Sequence, residues 1–491
     1  MKVYKVSPLV KYSPFFDLTY VSSFEFALGD VVEVNFNNKK ISAVVLEKYS
    51  LKEAKVEIRK AQFKTKKIET KGKKVFSKNQ LSALKKFSFD YAIPLGEVLF
   101  YLFGEGLDTN KNVFSKMYKF TGEGVVIDDF DFQKYLSLTN PHISRLHLLF
   151  IYLEHFYKTK KIFIENNFLG VSETIYLDNL RKNTFFKNKI VLSGGNNTPK
   201  KKYFVKVERE EIINKEVLEK MKGKKTFVFV LSLGYADRIY CADCKKPYAC
   251  ENCPGEYSIY IEEGVHALYC KSCKHEKILK PDQYVICKNC GGWRMFSYGL
   301  GIDRVKEFLK EGNIDLKEIV VGGLKELEKV KKKGNVFDMV VVASLGPLVA
   351  GGSFDTDERL IKLLSKLETI ARTIYINKRG EDVLSLDNYK DRNKFLSEEI
   401  TLRKKLKLPP YRKALSLIFN YRNKKIIDKF LYSNFEKFKI DGEKKRGSSI
   451  IYFWLVDMEK DGDWVLQLSR TLRNYGDLVV SESIFDFQIK R

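Results

Sequence analysis

All eight cysteines of this 491-residue chain lie between Cys241 and Cys290, and every one belongs to a C-x-x-C pair. The pairs are Cys241/Cys244, Cys250/Cys253, Cys270/Cys273 and Cys287/Cys290. A C-x-x-C turn points two sulfurs at one tetrahedral centre, and two such turns complete a four-thiolate site. Eight thiolates therefore predict two structural Zn²⁺ ions, with no coordination position left open for water and hence no zinc catalysis. Disulfides would need an oxidising compartment, and nothing in the sequence points to export. An iron–sulfur cluster is the remaining alternative, because four thiolates also serve iron.

Loop lengths suggest how the pairs combine. Sixteen residues separate Cys253 from Cys270, which suits a zinc ribbon, whereas only five separate Cys244 from Cys250. The inner site is then Cys250, Cys253, Cys270 and Cys273, clasped by an outer site of Cys241, Cys244, Cys287 and Cys290. Between the inner pairs, YSIYIEEGVHALY (Tyr257 to Tyr269) reads as strand, turn and strand. His266 falls in the second strand and reads as a packed or DNA-facing residue, since the thiolates already suffice. Tyr257, Tyr260, Tyr269 and Trp293 are candidate stacking surfaces, although so small a module needs aromatics for its own core. Each metal should contribute on the order of 10 kcal/mol to folding.

The rest of the chain is basic, with 88 Lys+Arg against 62 Asp+Glu and a net charge of +26. Such a balance favours polyanionic partners, nucleic acid first. With 44% hydrophobic residues, the chain can bury a substantial core, and disorder is excluded as its dominant state. No apolar run reaches the roughly 18 residues a bilayer span requires; the best, Met339 to Ala350, is broken by Gly346 and Pro347. The amino terminus has no signal-peptide pattern. The expectation is a soluble cytoplasmic protein without a membrane partner.

The segments around the cysteines carry a resemblance. FVFVLSLGYADRIYCADC (Phe227 to Cys244) reads as a buried strand leading into the first pair, and CKNCGGWRMFSYGLGIDRVKEFLKE (Cys287 to Glu311) as the last pair, a Gly-rich turn and a helix. With Gly234-Tyr235, Gly299-x-Gly301 and Asp303-Arg304-Val305, this arrangement resembles the primosomal protein N′ (PriA) family of replication-restart helicases, in which zinc is bound in the same crossed pairing. PFFDLTYV (Pro14 to Val21) and GDVVEVNF (Gly29 to Phe36) are similar to that family's 3′-end-binding domain; Tyr91 and PLGEVLFYLF (Pro94 to Phe103) resemble its end. The resemblance implies that Phe16 and Asp17 contact a terminal nucleotide. The family's pocket glycine is Asn37 here, and its pocket lysine corresponds at best to Arg59 or Lys60. EEITLRKKLKLPPYRKALSLIF (Glu398 to Phe419) resembles the opening of the family's C-terminal domain.

The family's motor is not legible. No G-x-x-x-x-G-K-[ST] phosphate cradle occurs. The matching strand–turn–helix–strand stretch, Tyr135 to Gly170, has Asn140-Pro141-His142 at the turn, and proline lacks the N–H such a nest needs. No D-E-x-H run follows, and the arginine-finger positions are Ile370 and Thr373. No catalytic residue is assigned, and ATP and Mg²⁺ have no identified site. Leu51 to Lys86 is strongly basic and reads as a linker or phosphate-facing edge.

The fold expected is α/β: RecA-like helicase lobes, the first truncated, with an inserted two-zinc, eight-cysteine module, a β-rich N-terminal DNA-binding domain and a small α+β C-terminal domain. The boundaries read as 1–104, 107–205, 206–380 with the zinc module at 241–292, and 381–491. The function implied is replication restart and primosome assembly by recognition of forked, single-stranded or 3′-ended DNA, without ATPase activity. Restart or single-strand-binding proteins are the implied partners. The alternatives are an active ATP-dependent 3′→5′ DNA helicase with a divergent nucleotide site, and a zinc-ribbon scaffold that binds protein.

Overall fold

A computed structural model describes residues 1–481 except 14, 55–65, 105–106, 108–113, 115–117, 122–123, 129–143, 166–167, 194–200, 208–210, 233, 237, 253–254, 263–264, 271–272, 280–283, 335, 346–355, 379–385, 387, 435–440 and 447–448. Arg59, Lys60, Cys253 and the turn Asn140-Pro141-His142 lie outside the described residues.

The chain opens with a six-stranded sheet built on Lys2–Pro8, Leu18–Ser22, Asp30–Phe36 and Lys39–Ser50, with short strands Lys66–Lys67 and Lys73–Lys74 at its edges. Alternation along DVVEVNF buries Val32 and Val34 and exposes Glu33 and Asn35. Asn37 and Asn38 join two of these strands with φ of 48° and 61°. This two-residue connection needs positive φ at both positions, which asparagine tolerates better than any residue but glycine. Asn37 thus takes up a left-handed backbone without being glycine.

Helix Lys78–Asp90 follows, opened by a reciprocal capping box between Ser77 and Gln80. It buries Leu81, Leu84 and Phe87. Lys78 to Lys86 is therefore an amphipathic helix rather than a linker: the apolar residues at 3.6-residue spacing decide the conformation, Lys78 and Lys86 are exposed, and Lys85 donates to the Leu46 carbonyl at 2.9 Å. Helix Leu95–Phe103 completes this region.

A second sheet runs in the order Ile190–Ser193, Ile162–Glu165, Gly124–Asp128, Tyr118–Thr121, the first three parallel and the last antiparallel. The third sheet is five-stranded and parallel: Lys201–Lys206, Ala371–Lys378, Phe337–Ser344, Thr226–Val230, Ile319–Gly322. Its central strands, TFVFV and FDMVVVAS, are almost wholly buried, as strands covered on both faces must be. Lys201–Lys206 belongs to this sheet through its pairing with Ala371–Lys378, so the sheet begins a few residues before the boundary read at 206. The C-terminal sheet is antiparallel, in the order Gly442–Arg446, Ser449–Val456, Lys413–Asn420, Gly476–Ser481, with helices Lys424–Asn434 and Met458–Leu472.

The largest apolar core crosses these regions. Leu84, Leu99 and Phe103 of the first pair of helices, Leu149 and Ile162 around the second sheet, and Leu415, Trp454 and Val465 of the C-terminal region share one buried cluster. The two ends of the chain are thereby packed together. No described helix is long and apolar enough to cross a membrane.

Candidate metal centres and DNA-end pocket

The cysteine module leaves the third sheet after Thr226–Val230 and returns at helix Ile302–Glu311. Its exit and return are stitched together, Gly301 donating to the Tyr235 carbonyl and Asp303 to that of Gly234. A Cβ on Gly301 would lie 2.0 Å from the Gly234 carbonyl oxygen, so only glycine permits this approach. The module consists of a ribbon, Arg238–Cys241 with Met295–Tyr298, and a three-stranded sheet, Tyr257–Glu262, Val265–Cys270 and Glu276–Ile278.

One backbone pattern recurs at the knuckles. In all four, the first cysteine's N–H donates to the carbonyl five residues on: Cys241 to Lys246, Cys250 to Gly255, Cys270 to His275, Cys287 to Gly292. In three, the residue after the second cysteine has positive φ (Lys245 58°, Lys274 62°, Gly291 74°) and its N–H returns to the first cysteine's carbonyl. This geometry turns both sulfurs of a pair inward.

The sulfurs gather in two clusters, Cys241, Cys244, Cys287 and Cys290 in one, and Cys250, Cys270 and Cys273 in the other, all within 4.8 Å of each other in each cluster. Sulfur–sulfur distances are 3.5 Å for Cys241–Cys290, 3.6 Å for Cys244–Cys287 and 3.6 Å for Cys250–Cys273. A disulfide is about 2.05 Å long, and none of these three sulfur pairs comes that close. Four sulfurs around a common centre fit a tetrahedral thiophilic ion at Zn–S of about 2.3 Å. Without a cation, Cys244 and Cys290 of the outer cluster are driven in opposite directions. The Lys246 amide, with the neighbouring thiols, draws Cys244 down to about 7. The Gly292 amide favours the Cys290 thiolate too, but the adjacent thiols, Cys241 foremost, push it up to about 12. A metal ion at the centre removes that conflict.

Around the inner cluster Tyr257 is fully buried, stacked on Tyr248, with its hydroxyl 2.7 Å from His275 Nδ1. Burial pushes its phenol up to about 12. His275 thus serves this core; in the strand register His266 lies opposite Ile261. Trp293 is instead 65% exposed and meets the exposed Tyr284 edge to face. One ribbon face is aromatic: Tyr240 stacks on Phe296 at 5.7 Å and Tyr298 meets Tyr240 edge-on. The ribbon register places Arg238 opposite Tyr298, and Lys245 sits 5.8 Å over Phe296. Ile239 and Met295 fill the other face, in the module's core.

The second site is at the opposite end of the chain. Tyr12, Ser13, Phe16 and Asp17 meet the end of helix Met458–Leu472 and the residue after it. The Phe16 carbonyl accepts from Ser7 Oγ at 3.0 Å, and Ser7 Oγ accepts from the Gly96 amide at 2.8 Å. A Cβ on Gly96 would fall 2.0 Å from the Pro8 carbonyl oxygen. Ser13 N–H donates to Glu97, a carboxylate only 1% exposed. Phe16 and Asp17 are left partly exposed and side by side. Arg470 of the C-terminal helix stands with its guanidinium carbon 5.3 Å from the Phe16 ring centre and a nitrogen 3.7 Å from an Asp17 carboxylate oxygen. Nothing local in the sequence marks Arg470; only the tertiary fold joins it to the loop.

Together, a loop presenting an aromatic ring and a carboxylate and a module of paired thiolates define a mixed α/β protein of several sheets with a candidate nucleic-acid site and two candidate metal centres. Residues 9–103 match the family model described as the 3′DNA-binding domain (3′BD) of PriA. The chain is similar to proteins named replication restart protein PriA. It is 25% identical to that of Haemophilus influenzae, over 45% of this chain and 36% of the relative. It is 25% identical to that of Thermotoga maritima, over 43% and 32%, and 22% identical to that of Borreliella burgdorferi, over 46% and 38%. The matches span about a third of each relative's length.

Proposed function

We propose that the chain is a DNA-binding protein of replication restart, recognising branched or 3′-ended DNA without hydrolysing ATP. The observation that carries this reading is the Phe16–Asp17 pair, half-exposed on a supported loop within the residues that match a 3′DNA-binding domain. In this reading the Phe16 ring stacks on the terminal base, and Asp17, an acceptor only, takes the hydrogen bond of a free 3′-hydroxyl. Arg59 or Lys60 would supply the cationic contact that the resemblance implies. The net charge of +26 supports steep salt dependence of binding.

Two Zn²⁺ ions, bound by Cys241, Cys244, Cys287 and Cys290 and by Cys250, Cys253, Cys270 and Cys273, would rigidify the module. The ribbon's aromatic face and Trp293 then offer stacking surfaces to single-stranded DNA. The third sheet would be the second RecA-like lobe and the second sheet a truncated first one. Loss of the motor is supported by the sequence alone, which has no G-x-x-x-x-G-K-[ST] run.

Binding and ATP turnover measured together on forked, 3′-tailed and blunt duplex DNA test the reading. Preference for forked or 3′-tailed substrates with no stimulated turnover is expected. DNA-stimulated hydrolysis abolished by chelating Mg²⁺ would replace it with an active helicase. Equal binding to all three substrates would leave only a protein-binding scaffold.

A further inference from the structure

Helix Met458–Leu472 is fixed on the N-terminal region by a row of close contacts. A Cβ on Gly462 would lie 2.3 Å from Phe89, so the helix packs there at its closest. Ser469 Oγ donates to the Ala92 carbonyl at 2.8 Å in a buried bond. Arg473 Nε donates to the Ser13 carbonyl at 2.7 Å, its guanidinium pairs with the buried Glu97 carboxylate, and the Tyr12 hydroxyl donates to the Arg473 carbonyl. Arg470 lies between these anchors, one residue past Ser469 and one turn before Arg473. The helix therefore imposes its position over Phe16 and beside Asp17.

The pairing it makes there is weak. Arg470 is 57% exposed and meets Asp17 at 3.7 Å, and such solvated pairs contribute at most about 1 kcal/mol. The guanidinium is thus free to exchange Asp17 for a stronger partner. A planar, always-charged fork binds phosphate bidentately while stacking on an aromatic ring. A carboxylate that accepts a hydroxyl would by itself repel the phosphodiester of the same nucleotide. A cation within 4 Å of it offsets that repulsion and supplies the missing donor.

Resting on the reading of Phe16 and Asp17 as a 3′-end pocket, we propose that Arg470 is its phosphate-binding residue. The pocket is then composite: the N-terminal region takes the terminal base and hydroxyl, and the C-terminal helix takes the adjoining phosphodiester. A bound strand end would bridge the two.

Fluorescence anisotropy with labelled single-stranded DNA, its end either a 3′-hydroxyl or a blocking 3′-phosphate, tests this across a NaCl series. For Arg470→Ala, affinity for the 3′-hydroxyl end should fall about tenfold, the loss of one charge-assisted contact, and the log–log salt slope should drop by about one. Arg470→Lys, which keeps charge but not the fork, should retain the slope and recover only part of the affinity. Wild-type affinity and slope in Arg470→Ala, together with lost end preference in Asp17→Asn, would overturn the role of Arg470 and keep the pocket. A wild-type protein indifferent to the 3′ end would remove the pocket and the proposal with it. Arg470 is half in solvent, so a thermal melt unchanged by the substitution is expected.

Discussion

Arg473 Nε donates to the Ser13 carbonyl at 2.7 Å, and this bond ties the last helix of the described chain to the loop that carries Phe16 and Asp17. The same guanidinium pairs with Glu97, which is 1% exposed. Removing the cation alone would strand a buried carboxylate, a loss of about 3–5 kcal/mol. Arg473→Met should therefore be strongly destabilising in urea titration, whereas adding Glu97→Leu should recover much of the loss, because two apolar side chains leave no buried charge. If Arg473→Met unfolds at the wild-type midpoint, the clamp contributes nothing.

Metal content gives a second prediction. Elemental analysis should find about two zinc ions per chain, eight thiolates at four per ion. Cys270→Ser should leave about one and unfold the inner knuckles, since the module's small core centres on Tyr257, Leu268 and Cys270. A strong chelator should release the metal and raise the number of thiols that react with a colorimetric reagent. Thiols already unreactive in metal-free, denatured protein would mean that the sulfurs are bridged.

A third prediction concerns the support beneath the pocket. Gly96→Ala would set a methyl against the Pro8 backbone, which cannot swing aside as a side chain would. The cost should be about 1–3 kcal/mol of overpacking, and the bond chain from Gly96 through Ser7 to the Phe16 carbonyl should break. Binding to a 3′-tailed oligonucleotide should weaken more than binding to blunt duplex. Equal losses on both would mean that the loop needs no such support.

The knuckle spacing and the strand alternation were legible because both are local. C-x-x-C with five- and sixteen-residue gaps already implied the crossed clusters, and YSIYIEEGVHALY already read as the two strands that pair between them. Charge composition is a poorer guide than period: the basic stretch Leu51 to Lys86 reads as a linker or phosphate-facing edge, yet its last part is helical, with Leu81 and Leu84 in the core. Trp293 is 65% exposed against Tyr284, which composition cannot reveal. Arg470, Arg473 and Glu97 were invisible for another reason. Their pairing spans almost the whole chain, and no local spacing encodes a contact between a C-terminal helix and an N-terminal loop.

A buried ion network supplies the last prediction. Lys362 bridges Glu173 at 3.0 Å and Glu358 at 3.1 Å, and Arg403 bonds Glu358 and Glu399, both at 2.7 Å. It joins helices Val171–Lys182, Thr356–Glu368 and Arg392–Leu406. A Cβ on Gly170 would lie 1.9 Å from a Glu358 oxygen, so the backbone is closed tightly over the network. Burial by itself would raise the Glu358 carboxyl, but Lys362 and then Arg403 hold it below its ordinary value. A carboxyl lowered on folding contributes stability above its unfolded value of about 4.3 and loses it as pH falls through the folded value. Glu358→Gln should therefore lower the melting temperature at pH 7, by a destabilisation on the order of 3 kcal/mol. The gap between wild type and variant should stay constant down to about pH 5, then close as acid protonates Glu358 in the wild type. A gap that persists unchanged to pH 3 would place the stabilisation in shape rather than charge.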